Sequence, residues 1–354
     1  MNPGQFQSQL LTWYQAHKRE LPWRENTDPY RVWVSEIMLQ QTQVDTVRER
    51  FTHWMGRFPQ LSDLAAAPVE EVLKEWEGLG YYSRARNIHK AAVEICRDHN
   101  GQIPGTYEEV LALPGIGRYT AGAVLSIAFG KPVPLVDGNV IRVLSRVALI
   151  EDEVSKASVQ KQIWALAQSL VPKEAPGDFN QGLMELGATV CTPAHPACES
   201  CPVANLCKAK QHGRQSALPV TRPRPKTVQM RYAAALIRAD GRILLRYNAP
   251  GQLWAGLWDL PQVETQDSAE PDFSAVCGTQ TLTGALVGEV RYSFTHHHAR
   301  RKLYCAEIVK KARLKPPLEW IPEQKLKQTP LAGPAVKSLK LAGILDVIPA
   351  QAGI

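Results

Sequence analysis

The sequence predicts a multidomain chain: an all-α domain over residues 1–207, a basic, proline-containing linker over 208–227, and an α+β domain over 228–354. Three observations carry this division. The chain has 354 residues, more than one hydrophobic core usually serves. From residue 5 to about residue 190, apolar positions recur at three-to-four spacing in segments that end at proline or glycine, which is the signature of successive helices. Between residues 208 and 227 there are six lysines or arginines, no aspartate or glutamate, and prolines at 219, 223 and 225; past them the pattern becomes strand-like.

Composition narrows the class. An apolar share of 44% fits a soluble globular protein, and the longest apolar-leaning stretch, residues 119–129, is too short to span a bilayer and contains Gly122 and Ser126. No membrane association is expected. The opening Met1-Asn2-Pro3-Gly4-Gln5 lacks the basic and apolar regions of a secretory signal, so a cytoplasmic protein with reduced cysteines is expected. A formal charge of +7 and a pI near 9.0 suit an anionic partner, because lysine and arginine contacts to phosphates release condensed counterions.

In chain order, residues 30–58 set Val32, Ile37, Leu39 and Val44 among polar residues in helical register. The run Leu113-Pro114-Gly115-Ile116-Gly117-Arg118-Tyr119-Thr120 joins two helices, the second over 121–129. Gly115 and Gly117 carry no side chain where a phosphate backbone would approach, and the following helix N-terminus offers free N–H groups and its positive dipole end. Further on, Val136-Asp137-Gly138-Asn139-Val140 sets a carboxylate ahead of a helix over 141–148. Taken alone, the first run is a turn and Asp137 a helix N-cap.

A helix over 183–190 runs into Cys191, Cys198, Cys201 and Cys207, spaced C-x6-C-x2-C-x5-C, with Pro193, Pro196 and Pro202 keeping the intervening chain out of helix. Zinc usually takes paired CxxC units, whereas one central CxxC with two outlying cysteines suits a cubane whose four irons each need one thiolate. The spacing therefore favours a 4Fe-4S cluster, with zinc as the alternative. Cys96, Cys277 and Cys305 stand alone and read as small core residues. Beyond the linker, strands over 228–238 and 242–247 flank the turn Asp240-Gly241, and residues 289–293 and 302–309 also read as strands.

Taken together these motifs resemble the helix-hairpin-helix DNA glycosylases of the endonuclease III superfamily, which share the LPGIG hairpin, a downstream aspartate and this cysteine spacing. Within that superfamily the chain is similar to the adenine DNA glycosylases of the MutY type. The matching segments are Leu21-Pro22-Trp23-Arg24, residues 34–44, residues 78–87, the hairpin, and Val136-Asp137-Gly138-Asn139-Val140. They cover the whole N-terminal domain.

The resemblance implies a base-excision enzyme of the bacterial cytoplasm that hydrolyses the glycosidic bond of adenine opposite 8-oxoguanine or guanine in double-stranded DNA. It implies a monomer with a 4Fe-4S cluster on Cys191, Cys198, Cys201 and Cys207. Glu36 is expected to protonate adenine at N7, and Val34, Ile37 and Leu39 make its desolvation plausible. Asp137 is expected to stay ionised and stabilise the cationic sugar, with Asn139 and Tyr119 positioning it. Arg19, Trp23 and Gln181 would line the pocket for the flipped base, and Gln41 and Tyr81 would wedge into the duplex. Gly115, Gly117 and Arg118 would hold the DNA backbone.

Strand-nicking relatives place a lysine nucleophile just after the hairpin arginine, where this chain has Tyr119, so a monofunctional enzyme leaving an abasic site is expected. In the second domain, residues 253–261 resemble the aromatic stretch of the Nudix fold, but the glutamate-rich box that holds magnesium for pyrophosphate hydrolysis does not follow. That domain is expected to be Nudix-like and to recognise 8-oxoguanine through Phe294, Thr295 and His296. Two other readings are weaker. A pyrimidine-specific glycosylase with lyase activity is disfavoured by Tyr119 and the extra domain, and a non-catalytic iron–sulfur DNA-binding protein needs neither Glu36 nor Asp137.

Overall fold

The structure is a computed structural model that describes residues 2–223, 225–265, 270–309, 314 and 316–346. The last residues of the expected second domain, 347–354, lie outside the described residues. The chain divides into two compact units: one comprises residues 1–66 and 87–223, the other residues 67–86 and 224–354.

Twelve α-helices precede residue 212 among the described residues. They are α1 (Pro3–His17), α2 (Pro29–Leu39), α3 (Val44–Arg57), α4 (Leu61–Ala66), α5 (Val69–Glu75) and α6 (Ser83–Asp98). There follow α7 (Tyr107–Ala112), α8 (Arg118–Ile127), α9 (Gly138–Ala148), α10 (Ala157–Leu170), α11 (Pro176–Thr189) and α12 (Lys208–Gln211). Residues 30–58, expected as one helix, form two. Gln41 takes φ +59 between α2 and α3, a left-handed conformation that ends the helix with neither glycine nor proline to announce it.

The helical core of the first unit joins Phe6 and Leu10 of α1, Val140, Val143 and Leu144 of α9, and Phe179, Leu183 and Leu186 of α11. Two glycines permit the close approaches in it. A Cβ on Gly122 of α8 would sit 2.1 Å from the Pro134 carbonyl oxygen, and one on Gly187 of α11 would sit 2.6 Å from Asn139 Cβ. α7 and α8 with residues 113–117 between them form the helix-hairpin-helix. Gly115 takes φ +76 there, with the Asn87 side chain pressed against it.

The stretch read as a linker is largely structured. Ala209 and Leu218 are buried, Val154 N–H donates to the Val220 carbonyl at 2.9 Å, and Arg146 Nε donates to the Leu218 carbonyl at 2.9 Å. Residues 208–223 thus belong to the first unit. The stretch opens with α12, and its later prolines keep the rest out of helix without forbidding packing on a neighbour.

The second unit holds two sheets. One has the order β5-β1-β7-β6, built from β1 (Val228–Leu236), β5 (Gln262–Glu264), β6 (Thr281–Phe294) and β7 (His297–Ile308). In the other, β3 (Arg242–Tyr247) lies between β2 (Arg238–Ala239) and β4 (Trp258–Asp259) and also pairs with β8 (Leu318–Pro322). β1 and β7 run parallel, so the hairpin partners β6 and β7 deliver their turn to the Val228 end of β1. Asp240 and Gly241 turn with φ of +49 and +68, the expected two-residue hairpin. Helices α13 (Ser274–Cys277) and α14 (Gly333–Leu341), with α5 from the earlier segment, also belong to this α+β unit. Cys277 is buried as expected of a core residue, whereas Cys305 on β7 is exposed. Among the described residues no helix is long and apolar enough to cross a membrane.

Candidate active site

Burial along most of α2 places Glu36 inside the first unit at 4% exposure, flanked by buried Ser35 and Ile37. Its Oε2 accepts a hydrogen bond from the Tyr119 hydroxyl, delivered by the first turn of α8, and Met184 Sδ of α11 lies 3.4 Å from that hydroxyl. Burial pushes the Glu36 carboxyl up to about 7; the Tyr119 hydrogen bond opposes the shift and the charge of Asp137 adds to it. Tyr119, also pushed well up by burial and by the charges of Glu36 and Asp137, gives its hydroxyl hydrogen bond to Glu36, whereas the expectation placed it on Asp137.

Asp137 sits at the N-cap of α9, where Oδ1 accepts from Val140 N–H at 2.7 Å and Oδ2 from Asn139 Nδ2 at 2.9 Å. The cap thus fixes the orientation of this carboxylate. Burial raises its pKa, while those two donors and the charge of Arg142 lower it. Its ionised form depends on them.

The chain of contacts continues. Arg142 donates Nη2 to Asn139 Oδ1 at 2.8 Å and to the Gly187 carbonyl at 2.7 Å, and Nε to the Cys191 carbonyl at 2.7 Å. Arg146, one turn on and 2% exposed, donates to the carbonyls of Cys191, Thr192 and Pro193 and to Cys191 Sγ at 3.3 Å. Helix α9 thus carries Asp137 at one end and a guanidinium clamp on the cysteine loop along its length. Neither arginine stands out in the sequence; their i, i+4 spacing on the helix that follows Asp137 was the available signal.

Cys191, Cys198, Cys201 and Cys207 line one cavity with the apolar side chains of Val143, Val147, Leu186 and Val203. Among the described residues no three of His, Cys, Asp and Glu converge as donors to a single metal ion. Four thiols around a common cavity are the residues of this unit that could hold a metal cluster.

Arg19, Trp23 and Gln181 line a cavity of 880 Å³ together with Arg24 and Arg48. Sequence reasoning missed Glu185 behind it. That carboxylate is buried and accepts from Arg19 Nε at 2.7 Å and Arg24 Nη2 at 2.9 Å. Burial would raise it, but the hydrogen bonds and charges of the two arginines override burial and hold it at about 2. Its position one helical turn after Gln181 was the signal that could have found it.

The remaining expected residues lie at turns. Gln41 is exposed between α2 and α3, and Tyr81 is 47% exposed before α6 with φ +46. Gly117 is the N-cap of α8 with open space at its Cβ position, and the exposed Arg118 lies 4.1 Å over the Trp164 ring. In the second unit Thr295 and His296 are the exposed tip of the β6–β7 hairpin, with Thr295 at φ +51. Phe294 stacks on His297 at 4.9 Å and meets Trp254 edge-on at 6.1 Å. Phe294 and Thr295, with Ser293, share a cavity of 450 Å³ with Gly80, Tyr81 and Arg86 of the same unit.

Residues 34–169 match the profile of the HhH-GPD superfamily of base excision DNA repair proteins, and residues 232–341 match the NUDIX domain. A thermostable thymine-DNA glycosylase of known structure is 32% identical, with a TM-score of 0.53 over 59% of this chain and 97% of that one. An endonuclease III trapped as a covalent intermediate with DNA is 26% identical, with a TM-score of 0.51 over 60% of this chain and 99% of that one. Fold and site together define a helix-hairpin-helix protein of the HhH-GPD superfamily that carries a C-terminal Nudix-like domain.

Adenine DNA glycosylases are also similar: the mouse protein is 44% identical over 77% of this chain and 54% of its own length. The human protein is 51% identical over 60% of this chain and 41% of its own length. That of Buchnera aphidicola subsp. Schizaphis graminum is 34% identical over 74% of this chain and 76% of its own length. The chain belongs to the adenine DNA glycosylase family. It spans about half the length of the mammalian relatives it matches.

Proposed function

We propose that this protein excises adenine opposite 8-oxoguanine or guanine in double-stranded DNA, leaves an abasic site without cutting the strand, and carries a 4Fe-4S cluster. The observation that carries the reading is the pair of carboxyl groups with divergent surroundings. Burial raises both, Glu36 to about 7, but at Asp137 the Val140 amide, the Asn139 side chain and the charge of Arg142 oppose the shift and favour the charged form.

Glu36 in its protonated form gives its proton to N7 of the extruded adenine, and the C1′–N9 bond breaks with its electron pair passing to N9. Asp137 meets the resulting oxocarbenium ion with negative charge or a transient covalent bond. Water then adds to C1′ and returns its proton to Glu36. No amine is available at position 119 to form a Schiff base, which supports hydrolysis without strand cleavage. Arg19, Trp23 and Gln181 would receive the base, with Glu185 fixing the arginines beneath it. Cys191, Cys198, Cys201 and Cys207 would hold the cluster, which when bound ties the 191–207 loop to itself. Phe294, Thr295 and His296 would probe the opposite base, and Gln41 and Tyr81 would fill the vacated stack.

The test incubates the protein with duplexes bearing adenine opposite 8-oxoguanine, adenine opposite guanine, and oxidised pyrimidines, with and without alkali. Strand breaks on the two adenine duplexes that appear only after alkali, from a preparation with about four irons per chain, are expected. Breaks without alkali, or stoichiometric zinc without iron, would overturn the corresponding part.

A further inference from the structure

The turn before α6 is built in an unusual backbone conformation. Gly78, Gly80 and Tyr81 all have positive φ, at +93, +69 and +46, and the last is a bulky aromatic with nearly half its surface exposed. Such a conformation is costly for tyrosine and persists only where neighbours hold it. Arg84, in the first turn of α6, supplies the hold. Its Nη2 donates to the Leu79 carbonyl at 2.7 Å and the Gly80 carbonyl at 3.1 Å. Its guanidinium lies 5.3 Å from the Trp76 ring centre and 5.7 Å from that of Tyr81. Trp76 Nε1 donates to the same Gly80 carbonyl at 3.0 Å. Burial lowers the Arg84 pKa to about 10, still well above neutrality, so the guanidinium keeps the charge that attracts both ring faces.

We propose that Arg84 is a positioning residue that holds Tyr81 erect for insertion into the duplex beside the extruded base. This rests on the reading of Tyr81 as the wedge. A guanidinium suits that role because its Nη2 donates to two carbonyls of the turn while its delocalised charge lies near two ring faces, for which a compact, strongly hydrated lysine ammonium is the weaker partner. The ring is then ordered before DNA arrives, and the entropy of fixing it is not lost on binding.

The experiment uses the full-length, iron-loaded protein as Arg84→Met, Arg84→Lys, Tyr81→Ala and the Tyr81→Ala/Arg84→Met double variant. Affinities are measured for duplexes with 2′-fluoro-2′-deoxyadenosine, which resists excision, opposite 8-oxoguanine and opposite guanine, across a salt series. Hydrogen exchange of the backbone over residues 78–83 is followed in the free proteins. Arg84→Met should cut the preference for 8-oxoguanine by roughly ten-fold, with Arg84→Lys between it and wild type, and should add nothing in the Tyr81→Ala background. Exchange in the turn should quicken in Arg84→Met without DNA present. Additive losses in the double variant, unchanged exchange, or a salt slope lowered by about one unit, the mark of a direct phosphate contact, would each overturn the positioning role. A Tyr81→Ala variant with wild-type preference would instead remove the wedge reading, and the positioning role with it.

Discussion

At the scale of single residues, Glu36 couples activity and stability in opposite senses. Its folded-state pKa of about 7 lies above the usual 4.5, so its stability contribution is intact below about 4.5 and is lost as pH rises through 7. Above that pH the wild-type protein keeps a buried carboxylate, at a cost of up to about 3 kcal/mol. Glu36→Gln removes the charge, and its stability advantage in urea unfolding should grow by up to about 3 kcal/mol between pH 5 and pH 8. The same variant should be nearly inactive in single-turnover excision. In the wild type, the rate should fall as pH rises past about 7, where the proton donor is lost. Asp137→Asn should slow excision by about a thousand-fold while sparing affinity for the duplex, because the lost charge matters chiefly in the cationic transition state. Excision within a few-fold of wild type would rule out its assigned role.

At the scale of elements, the site depends on how closely α11 approaches α9. Gly187→Ala should cost about 1–3 kcal/mol by overpacking. It should also slow excision beyond what the lost stability explains, since the atom struck is Cβ of Asn139, which holds Asp137. Calorimetry and single-turnover rates on the same preparations check both. Elements of this kind were legible to different degrees in the sequence. Period-3.6 patterns gave the helices and the hairpin motif because helical burial leaves a local trace. The break at Gln41 left none, since nothing in its side chain requires a left-handed backbone. Glu36, Asp137 and the four cysteines were legible as motifs, whereas Glu185, Arg142 and Arg146 act through contacts 40 to 170 residues distant, and no local spacing records those. The strands β6 and β7 extended beyond their expected bounds because the exposed ends of a hairpin carry little hydrophobic alternation.

At the scale of the whole molecule, the net charge of +7 should express itself as salt-sensitive affinity for undamaged duplex. Six or more phosphate contacts would weaken binding by about a thousand-fold between 50 and 200 mM salt. A flat response in fluorescence anisotropy would mean that the charge is incidental. The second unit shows how a polar linker-like composition can mislead: the division falls at residues 223 and 224, and a segment as early as 67–86 groups with the C-terminal sheet unit.

That discontinuity has a temporal side. Arg86 donates to the Ala255 carbonyl at 2.7 Å, and Gly256 lies against Leu73, so one piece of the second unit is made long before the other. During synthesis at about 5–20 residues per second, residues 67–86 would wait on the order of ten to thirty seconds for their partners to leave the ribosome. In that interval the aromatic turn lacks the partners that cover it in the finished unit, which leaves it open to chaperones or proteases.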